Sequence, residues 1–179
     1  NSRMHVRHAV SQIKYLEFKH RLLKPYSLDI FRIESFDKRF NKVYIAYGFN
    51  TIRNRIFTDL YYLFYPKDVK IVPHEIMDIG NEWTLAILIG DDGTFDKSSK
   101  TVKISVDSYD MSSRKVLVEW LYSKFKIETT IEKDRVYILR RSMPKLISLI
   151  KDILPSSLHY KLGFSSQLRY HKDAESNLT

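Results

Sequence analysis

Two adjacent carboxylates, Asp91 and Asp92, close the run Leu85-Ala-Ile-Leu-Ile-Gly-Asp-Asp-Gly93, directly behind a stretch of apolar residues. Carboxylates hold divalent cations, and cations so held neutralise a scissile phosphate and activate water. By itself, Asp-Asp-Gly is also the composition of a helix stop or a tight turn. The second chemistry written in the residues is electrostatic. The 179 residues carry 30 Lys and Arg against 21 Asp and Glu, a net charge of +9 with a pI near 9.6. Such an excess attracts polyanions, nucleic acid above all. It is spread along the chain rather than gathered in one arm, beside 12 Tyr and 10 Phe. Most of those aromatics fall in apolar periodic segments, which suits a core beneath a charged surface as well as it suits base contacts.

Other constellations carry less. His5-x-x-His8 lies on an alternating segment, where a step of three residues points to opposite faces, so a joint metal site is not expected. Ser112-Ser-Arg-Lys115 contains a Ser-x-x-Lys but opens a helix and lacks companion motifs, which reads as capping. Asn177-Leu-Thr179 is a formal glycosylation sequon in a chain with no secretory sign. Phosphate-binding glycine loops and dinucleotide fingerprints are absent, and there is no Cys, which excludes disulfides, thiolate metal sites and cysteine catalysis. The longest apolar run, Leu85 to Ile89, falls far short of the roughly 20 residues of a spanning helix. No signal-peptide pattern follows Asn1; an upstream segment has been removed, or the sequence is part of a longer polypeptide.

The positioning elements follow from periodicity. Met4 to His8 alternates as a half-buried strand. Ser11 opens a helix with Ile13, Leu16, Leu22 and Leu23 on one side, ended by Pro25. Ile30–Phe36 and Val43–Phe49 read as strands joined by the basic turn Asp37 to Lys42. Asn50 or Thr51 caps a helix carrying Ile52, Ile56, Phe57, Leu60, Leu63 and Phe64, and a polar linker runs from Lys67 to Gly80. A short apolar helix spans Trp83 to Asp91. Thr101–Asp107 alternates, with Val102, Ile104 and Val106 on one face. Ser112 or Ser113 caps a helix with Val116, Leu117, Trp120 and Leu121; strands follow at Thr129–Glu132 and Arg135–Leu139; Ser142 caps a last helix with Leu146, Leu149, Ile150 and Ile153. Val102, Ile104, Val106, Leu117, Trp120, Leu121, Leu146 and Ile150 are expected in one core.

The two halves repeat as strand, helix, two strands, helix, proline, with Val43-Tyr-Ile45 answered by Val136-Tyr-Ile138. Residues 1–80 form an incomplete first half, 81–164 a second half, and 165–179 a polar tail. One repeat earlier, the counterpart of the 85–93 helix falls immediately before Asn1.

The segment Leu85 to Gly93 resembles the LAGLIDADG motif in a variant ending Asp-Asp-Gly. Lys103-Ile-Ser-Val-Asp-Ser-Tyr109, Phe64-Tyr-Pro66, Lys70-Ile-Val-Pro73 and Pro155-Ser-Ser-Leu-His-Tyr-Lys-Leu162 resemble, in order, landmarks of the subgroup that includes the yeast mitochondrial intron endonuclease. The resemblance runs from Met4 to Gly163. It implies an α+β fold of two pseudo-symmetric αββαββα halves, with antiparallel sheets forming a saddle on nucleic acid and two motif helices packed at the pseudo-twofold axis. Ala86 and Gly90, four residues apart, share the helix face that would allow that close approach. The resemblance further implies that Asp92 is a metal-binding, catalytic acid, that Lys70 and Lys161 lie near cleaved phosphates, and that Mg²⁺ is the cofactor. Asp91 serves the turn. On the saddle, the implied nucleic-acid contacts are His5, Arg7, Arg32, Lys38, Arg39, Lys42, Lys97, Lys103, Ser105 and Arg135, with Glu34, Thr101 and Asp107 also outward by alternation. Arg7 stands where the subgroup often has Glu or Gln.

Two functions are compatible with this pattern. One is a site-specific, Mg²⁺-dependent homing endonuclease, completed by a first motif helix from an upstream segment or a second chain. The other is a catalytically inactive RNA-binding derivative, an intron-splicing cofactor or a component of a ribonucleoprotein such as an organellar ribosome. The family implies an organellar, mitochondrial location and a nucleic-acid partner, with no membrane. Ala86, Leu88 or Ile89, and Gly90 are expected to meet something outside this chain.

Overall fold

The computed structural model describes residues 1–164; the polar tail and the sequon at Asn177 lie outside the described residues. The strands form where β-branched and aromatic residues alternate. In the first part of the chain these are β1 (His5–Ala9), β2 (Phe31–Asp37) and β3 (Lys42–Asn50), joined as an antiparallel sheet in the order β1-β3-β2. A 3₁₀ turn at Val10–Gln12 leads into α1 (Ile13–Leu22), and α2 (Arg55–Phe64) follows the sheet. After a short α3 (Ile76–Ile79) comes the motif-like helix α4 (Glu82–Asp92), then β4 (Gly93–Asp96), β5 (Thr101–Ser105), α5 (Met111–Phe125), β6 (Thr129–Glu132), β7 (Arg135–Ile138) and α6 (Met143–Ile150), with a 3₁₀ segment at Ser156–Leu162. The second sheet is antiparallel in the order β4-β5-β7-β6. The order β1-β3-β2 therefore recurs as β5-β7-β6, and among the described residues β4 has no counterpart on the outer edge of β1.

The eight residues expected in one core are all buried and share a cluster, with Trp120 and Ile104 at 1% and 0% exposure. Alternation explains the strand contribution: Val102 and Ile104 of β5 and Val136 and Ile138 of β7 point to the helix side and are buried, while Lys103 and Tyr137, a register pair, point away. Gly80 is demanded by packing, since a Cβ there would sit 2.6 Å from the Trp120 Nε1. In the first part of the chain Leu16, Ala46, Phe49 and Phe57 are buried, but Leu22, Ile52, Ile56 and Leu60 stay exposed.

Several helix starts differ from the sequence reading. Asn50 and Thr51 do not cap α2. The sheet claims them: Asn50 pairs with His5, and the Thr51 amide donates to the Met4 carbonyl at 3.0 Å. Asn54 caps instead, accepting from the Ile56 amide at 3.0 Å. Asp110, not Ser112 or Ser113, caps α5, accepting from the Ser113 amide at 2.8 Å. Ser11 makes no cap, and the Ser142 hydroxyl accepts from the Glu128 amide at 2.9 Å rather than from its own helix. In α1 the buried pair is Tyr15 and Leu16, while Leu22 faces out, because the helix packs towards α4 as well as onto the sheet. The region read as a polar linker contains α3, whose Ile76 is in the core.

Candidate functional site

The chemistry-bearing residues converge on the C-terminal end of α4. That helix begins with a capping box, the Asn81 side chain accepting from the Thr84 amide and the Thr84 hydroxyl accepting from the Asn81 amide, so its start is fixed. Eleven residues later it ends at Asp92, and Gly93 turns at once into β4. Asp91 and Asp92 thus occupy the last helical turn and part in direction. The Asp91 carboxylate is held by the Lys19 ammonium from α1, at 2.6 and 2.8 Å. Asp92 is half-buried and makes no ion pair among the described residues; burial first, then the neighbouring Asp91 charge, pushes its carboxyl above the ordinary aspartate value, against the pull of Lys70 and Lys161.

Lys161 is buried, and its ammonium donates to the carbonyls of Gly90 at 2.6 Å and Asp91 at 3.2 Å. It caps the carbonyl end of α4, where a positive charge is favoured by the helix dipole. Burial draws its pKa below the usual lysine value although Asp91 and Asp92 oppose this. Lys70 comes in from the segment after α2; its ammonium lies 4.3 Å from the centre of the Tyr109 ring and donates to the Ser108 hydroxyl at 3.3 Å. Burial is the largest influence and works against its charge, but Tyr109, Tyr65 and Asp92 together hold its pKa above the usual value.

Sequence reading missed the residues of α1 and β1 that frame this end of the helix. Tyr15 is fully buried, donates to the Ile87 carbonyl at 3.4 Å, and has its phenol pushed up by burial and then by the Asp91 charge. His8 packs against it, ring centres 5.0 Å apart, and is drawn down by burial and then by Lys19. Tyr15, Phe18 and Lys19 stand at i, i+3 and i+4, one helix face, which is the signal that was available. Their target, seventy-two positions away for Lys19 and Asp91, is a tertiary fact.

Each sheet turns one face away from the helices. On the second sheet Lys103, Ser105 and Arg135 share that face, as the register pairs Lys103–Tyr137 and Ser105–Arg135 require. Lys103 leans to Asp96 at 3.7 Å and Arg135 to Asp134 at 3.0 Å and Asp107 at 4.0 Å. Lys97 is exposed in the turn between β4 and β5. On the first sheet His5 and Arg7 are exposed on the outer face, beside Asn50 and Gly48. His5 and His8 point to opposite faces, as expected. Arg32 does not join His5 and Arg7. It pairs in register with Tyr47, as His8 does, so it lies on the helix-side face, ion-paired with Glu34 beyond the cover of α1. Counting alternation within each strand could not relate the parity of β2 to that of β1. Lys38, Arg39 and Lys42 are exposed at the β2–β3 turn, Arg39 clamped on Asp37 at 2.9 Å.

The expectation that Ala86, Ile89 and Gly90 face out of the chain is not met. All three are buried by this chain itself. Gly90 meets α1: a Cβ there would lie 2.7 Å from the Tyr15 Cζ. The exposed side of α4 is instead Trp83 and Asp91, with Thr84, Ile87 and Leu88 partly covered, and Phe18 stacks on Trp83 with ring centres 6.5 Å apart. Among the described residues no three His, Asp or Glu side chains gather as a metal cluster, and no helix is long and apolar enough to cross a membrane.

The family profile described as LAGLIDADG DNA endonuclease family matches residues 1–146. An intron-encoded endonuclease, ai4, of Dictyostelium discoideum is 35% identical over 129 residues, covering 68% of this chain and 80% of that protein. The cytochrome b mRNA maturase bI2 of Debaryomyces hansenii is 29% identical over 162 residues, covering 86% of this chain. The maturase of the same name from Saccharomyces cerevisiae is 28% identical over 128 residues. The chain spans 61% and 30% of the lengths of these two maturases. In fold, the chain is similar to the homing endonuclease I-WcaI bound to its DNA recognition sequence, with a TM-score of 0.81, 20% identity, and coverage of 91% of this chain and 76% of that one.

Proposed function

This chain belongs to the LAGLIDADG DNA endonuclease family, and from that premise we propose that it is a site-specific, Mg²⁺-dependent DNA endonuclease completed by a helix from outside the sequence described. The observation that supports this most directly is Asp92: a half-buried carboxylate at the foot of the motif helix, flanked by Lys70 and Lys161 and without an ion-pair partner among the described residues. Residues 1–80 and 81–164 supply the two halves of the saddle, and His5, Arg7, Lys103, Ser105 and Arg135 lie on outward sheet faces, where Arg and Lys can reach phosphates and guanine edges.

Asp92 fits a magnesium site. Magnesium is bound through one or two carboxylates, retained waters and substrate phosphate oxygens, so a three-residue protein cage is not required. Asp92 would hold the ion with a second carboxylate from the completing helix, and the ion's contribution there is charge neutralisation and an activated water. Lys161 fixes the carbonyl end of the helix beneath Asp92 and so positions the carboxylate. Lys70, half-buried beside Asp92, is placed to stabilise charge developing on the phosphate. Asp91, neutralised by Lys19, shapes the helix end.

The repeat supports a place for the completing element. In the second half, α6 packs on α4, and β4 covers the edge of β5. Among the described residues their counterparts are bare: α2 lines an apolar groove of about 480 Å³ with Met4, Phe57, Leu60, Tyr61, Phe64 and Tyr65, and the outer edge of β1 is unpaired. A motif helix and strand, from a longer polypeptide or a second chain, would fill both. The intron-encoded and maturase relatives support an organellar, mitochondrial setting.

The test is to supply an acid-bearing motif helix ahead of Asn1 and assay cleavage of DNA with and without Mg²⁺. Asp92→Asn is expected to abolish cutting of at least one strand while leaving binding within about twofold, because the carboxylate holds metal and the sheets hold the duplex. Undiminished cleavage by the Asn variant would remove Asp92 from the mechanism. The similarity to two mRNA maturases supports a second reading, an RNA-binding splicing cofactor using shape and phosphate contacts. Splicing stimulation without any cleavage by the completed protein would favour it.

A further inference from the structure

The two pseudo-symmetric hairpins are not alike. In the second sheet, β6 and β7 have four residues each and turn through Lys133 and Asp134. In the first, β2 has seven residues and β3 nine, joined through residues 38–41, so this hairpin extends further from its sheet. Its tip is aromatic. Phe36 is 56% exposed, Phe40 68%, Val43 51% and Tyr44 44%. Phe36 and Val43 are register partners on the helix-side face, Tyr44 lies on the other face, and Phe40 sits in the turn. None of the four takes part in the hydrophobic core cluster. Cations are interleaved with the rings: the Arg39 guanidinium lies 5.6 Å from the centre of Phe40, the Lys42 ammonium 5.4 Å from that of Tyr44, and Lys38 is exposed in the same turn. Asp37, the single acid of the tip, is clamped by Arg39 through two side-chain hydrogen bonds of 3.2 and 2.9 Å.

We infer that the β2–β3 tip is a binding site for unpaired nucleobases, which stack on Phe36 and Phe40 while Lys38 and Lys42 meet the flanking phosphates. The inference rests on the nucleic-acid reading above and adds a ligand class to it. A duplex offers a groove reader the edges of its bases, their faces being occupied by stacking on one another. Exposed aromatic rings gain little from edges. Unpaired bases in loops, bulges or displaced strands offer their faces, and every base has one, so stacking combined with a cationic rim binds them with little sequence preference. The positive rim selects a phosphate-bearing ligand over an apolar protein surface.

The test measures binding of the full chain to a short single-stranded RNA, the single-stranded DNA of the same sequence, and the corresponding DNA duplex. The unaltered protein should bind single strands. Phe36→Ala/Phe40→Ala should weaken that binding about tenfold or more and leave duplex binding within about twofold, whereas Phe40→Tyr should retain it, since a ring is what stacks. Circular dichroism establishes that each variant is folded. A stronger effect on RNA or on DNA names the source of the single strand. Equal loss on single strands and duplex, or no loss on either, overturns the inference while the nucleic-acid function stands. Failure of the unaltered chain to bind any of the three overturns both. A change in self-association in the double variant with unchanged single-strand binding would assign the tip to protein contacts and overturn it as well.

Discussion

At the scale of single residues, the end of α4 is a place where similar side chains have been given different jobs by their surroundings. Asp91 is neutralised by Lys19, whereas Asp92 sits half-buried with its carboxyl held above the ordinary value by burial, and makes no ion pair among the described residues. Lys161 spends donors on main-chain carbonyls, and Lys70 leans on an aromatic ring. His8 is the titratable group whose effect on stability is easiest to read. Its pKa in the folded chain lies below the ordinary 6.5, through burial and then Lys19. The unfolded chain therefore binds the proton more readily. The contribution of neutral His8 is complete above the unfolded value and is lost as pH falls from there through the folded pKa. Replacing His8 by Gln removes that step. The fall in Tm between about pH 7.5 and about pH 5 should be shallower in His8→Gln than in the parent. Parallel profiles would show that His8 titrates alike in both states.

At the scale of elements, the notable contact is α1 on α4. Ala86 and Gly90 have the small-residue spacing of a helix-packing face, and that face is filled by an aromatic of this chain. Gly90→Ala should therefore be costly even though alanine is the better helix former. Its Cβ would intrude on the Tyr15 ring, and overpacking of this kind costs about 1–3 kcal/mol. Gly90→Ala combined with Tyr15→Ala should cost less than the two separate losses together, because the clash is gone. Chemical denaturation of the four proteins measures this, and strict additivity would show that the two helices do not meet at Gly90.

For the molecule as a whole, the charge of +9 acts through the faces that the sheets present. Affinity for a DNA duplex should fall steeply with salt, because each neutralised phosphate releases counterions. The positions are distinguishable. Arg7→Gln and Lys103→Gln should each lower the slope of log affinity against log salt by about 1. Arg32→Gln should leave it unchanged, since Arg32 is on the helix-side face with Glu34. A flat salt response of the parent would remove nucleic acid as the partner, and an effect of Arg32 equal to that of Arg7 would contradict the assigned register.

The sequence by itself determined what depends on local order. The periodicity of Val102, Ile104 and Val106, and of Leu117, Trp120 and Leu121, declared strands and helices and their buried sides, and all six are in the core. The ordered landmarks around Leu85 to Gly93 declared the family. Helix starts were less legible, because Asn50 and Thr51 have the chemistry of caps but a stronger claim on them came from the Met4 and His5 strand, nearly fifty positions earlier. The tertiary structure alone decided what depends on the pairing of distant segments. Register set which face Arg32 takes, since parity within one strand says nothing about its neighbour. Packing decided that Tyr15 covers Gly90, that Lys19 takes Asp91, and that Asp92 lies half-buried near Lys70 and Lys161, because each of these is a contact between groups that the chain brings together only on folding.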